Sequence, residues 1–380
     1  MSSESKARVI AAEPAPRGPR SPLWAGLLIS AVTVLVMLGG LELIGRVWER
    51  NLAESELGWS LVAPRRLEFQ LRGSPDQPYY VLRPGGDYLW EGIPVHVNPA
   101  GLRGEAIASA KAAGAYRILN LGDSVAFGWE VRHEESYGQR LAALLSEPAG
   151  AGGVEVINAA VPTWNLEMAR NYLLNEGLAF EPDAVVLDVT VVNDFRGEPA
   201  PLQGRPGLIN WLRDNTHAWP FLTTNVRQLA AGESGPRAFE ELTPPERAGA
   251  YFPLELDSPL WDSTWAFIAD MRAALEQQAI PLVVIMFPTA FQANAAGHPD
   301  TPQQAFAGRA AAEDIAFVDL LPVYKAQCEA AGPAACEGDE NHLFADVWMH
   351  PNRLGHQLAA EALAPVVAAR RADGEGLKEQ

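Results

Sequence analysis

Ile118-Leu119-Asn120-Leu121-Gly122-Asp123-Ser124-Val125-Ala126-Phe127-Gly128 is the stretch on which the reading of the fold turns. Its first four residues form a short apolar run with the length and composition of a buried parallel strand. Gly122 breaks that run, and Asp123 and Ser124 follow where a strand hands over to a helix. A serine at such a corner stands beyond the sheet. Backbone N–H groups and the positive end of the helix dipole there face whatever lies outside. That arrangement suits a nucleophile whose product is an oxyanion. Taken alone, Gly-Asp-Ser is equally ordinary turn chemistry, with Asp or Ser as an N-cap.

Working outward, comparable apolar runs at 117–121, 154–157, 184–191, 282–287 and 316–320 are the candidate strands. Amphipathic stretches at 135–147, 165–178, 259–279, 303–313 and 355–370 are the candidate helices between and after them. This alternation predicts a flavodoxin-like three-layer α/β/α domain over 113–370, with a five-stranded parallel sheet and right-handed crossovers. An insertion at about 196–257, rich in Pro, Gly and Trp, reads either as a wall of a substrate site or as a packing excursion. Residues 371–380 read as a tail.

Upstream, residues 1–21 are polar and Pro-rich, with Lys6, Arg8, Arg17 and Arg20, and are expected to be a disordered cytoplasmic tail. Residues 22–45 are almost continuously apolar, with Glu42 the one charge. A helix of about 23 residues reaches ~35 Å, enough for a hydrocarbon core of ~30 Å. A cleavable signal peptide is the competing reading. Its apolar region would be unusually long, and no small-x-small site follows Gly40, so an uncleaved transmembrane anchor is favoured. Four basic residues precede the span and only Arg46 and Arg50 follow closely, which places the bulk of the chain outside the cytoplasmic membrane. Residues 46–112 read as a stalk and a small β-containing cap, with aromatics at Tyr79, Tyr80, Tyr88 and Trp90. A strand is expected at 93–98, with His96 an ordinary strand residue, and a turn at Pro99-Ala100-Gly101.

The 380 residues carry a formal net charge of −18, which argues against nucleic acid and against broad adhesion to anionic lipid. Cys328 and Cys336, the two cysteines, fall in a Gly/Pro/Ala-rich loop without metal-ligand spacing. They read either as a disulfide closing a small loop in an oxidising compartment or as two unrelated thiols.

Ligands of such sheets bind beyond the carboxyl ends of the strands. The first candidate strand is followed by Gly122-Asp123-Ser124, and the second by Asn158-Ala159-Ala160-Val161-Pro162-Thr163-Trp164-Asn165. The third is followed by Asn193-Asp194, and the fifth, through the cysteine loop, by Asp346-Val347-Trp348-Met349-His350-Pro351-Asn352. A serine, an amide and a histidine preceded by an aspartate thus converge on one edge, as nucleophilic ester chemistry requires.

These segments, in this chain order, resemble the blocks of the SGNH (GDSL-type) hydrolase superfamily over about 115–370. The chain resembles bacterial members with an N-terminal membrane anchor, and Asn98-Pro-Ala-Gly-Leu-Arg-Gly104 resembles the run that precedes their catalytic domain. The resemblance implies a serine esterase without metal or cofactor. Ser124 is its nucleophile, His350 the base and Asp346 the residue that orients the imidazole. The Ser124 N–H, the Thr163 N–H and the Asn193 amide form the oxyanion hole. Three departures stand out. Thr163 replaces the family's glycine, Val191 replaces the glycine before Asn193-Asp194, and Asp346 precedes His350 by four residues where the family spaces them by three, leaving Val347 in the usual place. A bulge or helical turn would bring Asp346 to the ring. Otherwise the site runs as a Ser–His dyad, or Asp339 or Glu340 substitutes.

The remaining candidates read structurally: Asp123 and Asp194 as turn residues, His356 on a helix face, His133 and His342 on the surface, Trp211 and Trp219 in packing. The substrate expected is a small-molecule, glycan or lipid ester. Two other readings remain: an O-acyltransferase that passes the acyl group to a sugar hydroxyl, and a non-catalytic scaffold that keeps the fold.

Overall fold

The computed structural model describes residues 23–52, 69–74, 76–90, 93–108, 111–146, 153–195, 212, 216–219, 221–222, 252–294, 298–332, 335–336, 342–346 and 349–378. The chain divides into two units, Met1–Asn51 with Gly207–Gly232, and Leu52–Pro206 with Glu233–Gln380. In the first, helix α1 (Leu23–Leu52) carries a stretch, Trp24–Val47, long and apolar enough to cross a membrane. Near its end Glu42 accepts the N–H groups of His217 (2.8 Å) and Ala218 (3.1 Å). The expected tail at 1–21, residues 53–68 of the expected stalk and cap (46–112) and most of the insertion, Trp211 included, lie outside the described residues.

In the second unit, two antiparallel hairpins precede the sheet: β1 (Phe69–Ser74) with β2 (Gln77–Leu82), and β3 (Asp87–Trp90) with β4 (Ile93–His96). The sequence reading anticipates only the last of these strands. In β2 the run Tyr79 to Leu82 is buried throughout, so it lacks the alternation that marks a half-exposed strand. His96 ends β4, as expected of a strand residue.

The five apolar runs become β5 (Tyr116–Gly122), β6 (Val154–Ala160), β7 (Ala184–Thr190), β8 (Leu282–Phe287) and β9 (Ala316–Asp319). They pair in parallel in the order β6-β5-β7-β8-β9. Strands β7 and β8 are buried along their whole length, and a strand covered on both faces has no use for a polar face. Each fully buried Val or Ile here contributes about 1.5–3 kcal/mol. The helices are α2 (Ser124–Phe127), α3 (Tyr137–Ser146), α4 (Leu166–Asn175), α5 (Val191–Asp194), α6 (Pro259–Glu276), α7 (Ala290–Asn294), α8 (Thr301–Ala312), α9 (Leu321–Ala331) and α10 (Arg353–Lys378). Helices α3, α9 and α10 pack together as one layer, and α4, α6 and α8 as the other. The chain leaves β5 toward β6 on one side and returns to β7 on the other. The carboxyl ends of β5 and β7 are therefore the switch point where a crevice opens.

Two expectations are corrected. Cys328 belongs to the last turns of α9 and not to a loop; Pro322 in the first turn and the Asp319 carboxylate, which accepts the Leu321 N–H at 2.9 Å, start a helix that periodicity did not reveal. Helix α10 runs on through Lys378, where a tail was expected from 371.

Candidate active site

Four residues of helix do not stand alone, since one turn fixes many dihedrals for few bonds. Helix α2 is held from outside. Asp123 caps it, its Oδ1 accepting the Val125 N–H at 2.7 Å, and Asp188 Oδ2 on β7 accepts the Ala126 N–H at 2.9 Å. At the other end Gly128 turns left-handed (φ 81°), and Asn158 Nδ2 donates to the carbonyls of Ala126 (3.1 Å) and Phe127 (3.3 Å). The buried Arg103 guanidinium donates to the carbonyls of Phe127 (3.0 Å), Gly128 (2.5 Å) and Val131 (2.8 Å). Gly122 permits the close approach of β5 to β7: a Cβ there would lie 2.6 Å from that of Asp188. Ser124, 5% exposed, is thereby fixed just beyond the carboxyl end of β5.

His350 reaches it from far along the chain. Residues 343–345 pair with 350–352, with Ala345 N–H to His350 O (2.8 Å), Asn352 N–H to Leu343 O (2.8 Å) and a bridge between Phe344 and Pro351. Inside that loop Asp346 Oδ1 accepts the N–H groups of Met349 (2.8 Å) and His350 (3.1 Å). Its Oδ2 lies 2.5 Å from His350 Nδ1, and His350 Nε2 lies 2.9 Å from Ser124 Oγ. A carboxylate only accepts, so Nδ1 carries the proton and Nε2 faces the serine hydroxyl as acceptor. The Trp129 ring stacks on the imidazole, centroids 5.8 Å apart. Burial lowers the His350 pKa, but the Asp346 charge and hydrogen bond outweigh it, and the net shift is upward from 6.5.

Beneath the serine lies a group of carboxylates. The Thr190 hydroxyl lies within 3.3 Å of Asp123 Oδ1 and 3.4 Å of Asp188 Oδ1, and Asp194 Oδ2 accepts the Thr190 N–H at 2.8 Å. Burial first, then the charge of Asp123, raises Asp188 and Asp194 well above the usual carboxylate range. Asp123 and Asp194 thus bond local backbone, as the sequence reading has them.

At the end of β6, Val161–Trp164 closes a turn through the Trp164 N–H and the Val161 carbonyl (3.1 Å). Thr163 sits in it at φ 68°, a left-handed conformation that costs a residue with a Cβ about 1–2 kcal/mol. Its hydroxyl bonds Tyr80 Oη, which also donates to the Pro162 carbonyl at 3.2 Å. Asn193 lies on α5, directly after β7; its side chain lies outside the described residues, as do Val347, Asp339 and Glu340.

Ser124, His350 and Asp346 are therefore brought together, with Thr163 in the turn after β6 and Asn193 on α5 after β7, the two strands that flank β5. Cys328 and Cys336 form a disulfide. His356 is buried on α10, its Nδ1 accepting the Tyr137 N–H at 3.3 Å, and burial lowers its pKa to about 3. His133 and His342, expected on the surface, are half-buried. His133 packs against Gly104, with burial lowering its pKa to about 4, and His342 Nε2 pairs with Gln327 at 3.1 Å. Trp219 is half-buried in the first unit.

Sequence reasoning missed Arg103, Asp188, Tyr80 and Trp129. Asp188 carried a signal, a lone carboxylate inside an apolar strand, which has to be bonded or protonated. Arg103 lay in the lead-in run without a role. Among the described residues no group of three or more His, Cys, Asp or Glu side chains is arranged to hold a metal ion. A crevice beside the corner is walled by Ile93, Val95, Phe127, Trp129 and Val131, with Arg103 and Glu130.

A family model described as the GDSL-like lipase/acylhydrolase family matches residues 121–358, more than half of the chain. No curated protein matches. Among solved structures, the acetyl xylan esterase AlAXEase is 17% identical, covering 66% of this chain and 99% of its own, with a TM-score of 0.41. A catalytic mutant of the acetylxylan esterase Axe2 from Geobacillus stearothermophilus is 14% identical over 65% of this chain and 92% of its own, TM-score 0.40. A member of the lipolytic protein G-D-S-L family from Veillonella parvula DSM 2008 is 11% identical over 66% and 97%, TM-score 0.38.

Proposed function

The chain belongs to the GDSL-like lipase/acylhydrolase family, and from that premise we propose that it hydrolyses carboxylic esters by nucleophilic attack of Ser124, with His350 as base and Asp346 as its orienting carboxylate. The observation that carries the reading is the unbroken relay Asp346 Oδ2, His350 Nδ1, His350 Nε2, Ser124 Oγ, at 2.5 and 2.9 Å. Ser124 Oγ attacks the ester carbonyl while its proton passes to His350 Nε2. The imidazolium then protonates the departing alkoxide, and a water molecule, activated by the same nitrogen, releases the acyl group. Asp346 holds the proton on Nδ1 and stabilises the imidazolium. A fluorophosphonate probe tests the mechanism. The expected result is a single adduct on the peptide that contains Ser124; folded protein that takes up none would leave a scaffold.

The oxyanion is assigned to the Ser124 and Thr163 N–H groups and the Asn193 side-chain amide. Loss of one such donor costs ~3 kcal/mol in the barrier, so Asn193→Ala is expected to lower kcat by about 10²–10³ with little change in KM. An unchanged kcat would remove Asn193 from the mechanism.

The acidic domain is assigned to the far side of the cytoplasmic membrane, with α1 as an uncleaved anchor. The basic residues before the span support this orientation, and the Cys328–Cys336 disulfide agrees with an oxidising compartment. Alkaline phosphatase fused after Gln380 needs such a compartment to form its own disulfides. It is expected to be active; an inactive fusion reverses the orientation.

A further inference from the structure

We propose that Tyr80 is a positioning residue that fixes the direction of the Thr163 N–H by holding the Pro162–Thr163 peptide in one of its two turn orientations. The inference rests on the oxyanion role given above to that N–H.

Pro162 occupies the second place of the Val161–Trp164 turn, where its ring holds φ near −65°. Thr163 occupies the third at φ 68°. Proline second and a positive φ third is the pattern of a type II turn, which favours Gly or Asn in third place. The same four residues also close a type I turn. The two forms differ by a half rotation of the middle peptide, and in type I the third residue sits near φ −90°, where threonine meets no penalty. A β-branched residue at this place therefore favours the orientation that is not observed.

In a planar trans peptide the carbonyl and the N–H point to opposite sides. Rotating this one would exchange the Pro162 carbonyl with the Thr163 N–H and turn the donor away. Tyr80 engages both halves of the unit: its Oη donates to the Pro162 carbonyl at 3.2 Å and accepts from the Thr163 hydroxyl. The phenol is 2% exposed, so water has little access to replace it. The strand that carries it is itself tied down. Trp164 Nε1 donates to the Tyr80 carbonyl at 2.8 Å, Asn171 Nδ2 donates to the Pro78 carbonyl at 3.1 Å, and Phe69 meets the Tyr80 ring edge-on at 5.0 Å. The upstream hairpin thus supplies the constraint that glycine supplies in place of Thr163 elsewhere in the family.

The test is a double-mutant cycle on the full chain with an activated ester, reading kcat and KM separately. Tyr80→Phe is expected to lower kcat by about 10–100-fold with KM within about threefold, a fraction of the loss of a whole oxyanion donor. In a Thr163→Gly background the same substitution is expected to change kcat by less than about threefold, since glycine adopts positive φ without strain. Equal losses in both backgrounds would make Tyr80 a packing residue, and no loss in either would remove it; both overturn the proposal. Should Tyr80→Phe lack a thermal transition, Thr163→Ala carries the test. It keeps the Cβ but removes the hydroxyl, and is expected to lower kcat about 3–10-fold at unchanged melting temperature; an unchanged kcat overturns the proposal. A wild-type protein inert to esters and to fluorophosphonate would overturn the oxyanion reading itself. An active one with a neutral Tyr80→Phe overturns only the role of Tyr80.

Discussion

Replacing Ser124 by alanine is expected to lower kcat for ester hydrolysis by about 10⁴–10⁶ while KM and the melting temperature stay near wild type. The size of the loss follows from the chemistry. Without the hydroxyl no acyl-enzyme forms, and the remaining groups can only polarise the carbonyl toward water, which retains a small part of the acceleration. Stability is spared because helix α2 is held through its backbone and through Asp123, Asp188, Asn158 and Arg103, none of which bonds the Ser124 hydroxyl. Among the described residues Ser124 Oγ hydrogen-bonds only His350 Nε2, so the alanine variant takes one partner from the imidazole and none from helix α2. Steady-state kinetics beside a thermal melt separates the two effects. A variant that keeps more than about a tenth of wild-type kcat would mean that the acyl group is transferred elsewhere.

Asp346→Asn is expected to lower kcat by about 10³–10⁴ and to move the acid limb of the pH profile to lower pH. In the wild type the base must be neutral to accept the serine proton. Its pKa is raised above 6.5 because the Asp346 charge outweighs burial, so kcat/KM falls as pH drops through a value above 6.5. The amide removes the charge and leaves the burial, and burial disfavours the imidazolium. The pKa therefore falls from its wild-type position, although Glu130 and Asp123 still favour the imidazolium, and what activity remains persists into more acidic buffer. The loss in kcat comes from the tautomer: an amide that donates to Nδ1 places the ring proton on Nε2, against the nucleophile. A profile whose limb does not move would transfer the orienting role away from Asp346, to a Ser–His dyad or to another carboxylate.

Most of the scaffold was legible because it depends on local pattern. All five strands of the sheet end within three residues of the apolar runs that announce them, since strands buried on both faces must be apolar over their full length. The sequence also contained Asp188 as a lone carboxylate in such a run. Helix α9 and strand β2 were not legible, because their burial comes from neighbours distant in the chain and leaves no period in their own residues. His133 and His342 look like surface residues for the same reason, as nothing local shows that Gly104 or Gln327 packs over them.

The sequence by itself determined the parallel α/β domain, the strand-to-helix corner at Ser124, the apolar helix ahead of the domain and the family. Each is a matter of periodicity, spacing or short motif, and such properties are written in neighbouring residues. Only the tertiary structure decided that Asp346, one residue out of the usual spacing, reaches Nδ1, because the pairing of 343–345 with 350–352 sets that distance. Only it placed Thr163 in a conformation threonine disfavours, against a tyrosine 83 residues upstream, and brought Ser124 to a histidine 226 residues away. Contacts of that range are fixed by the packing of whole layers, and no stretch of the chain carries them alone.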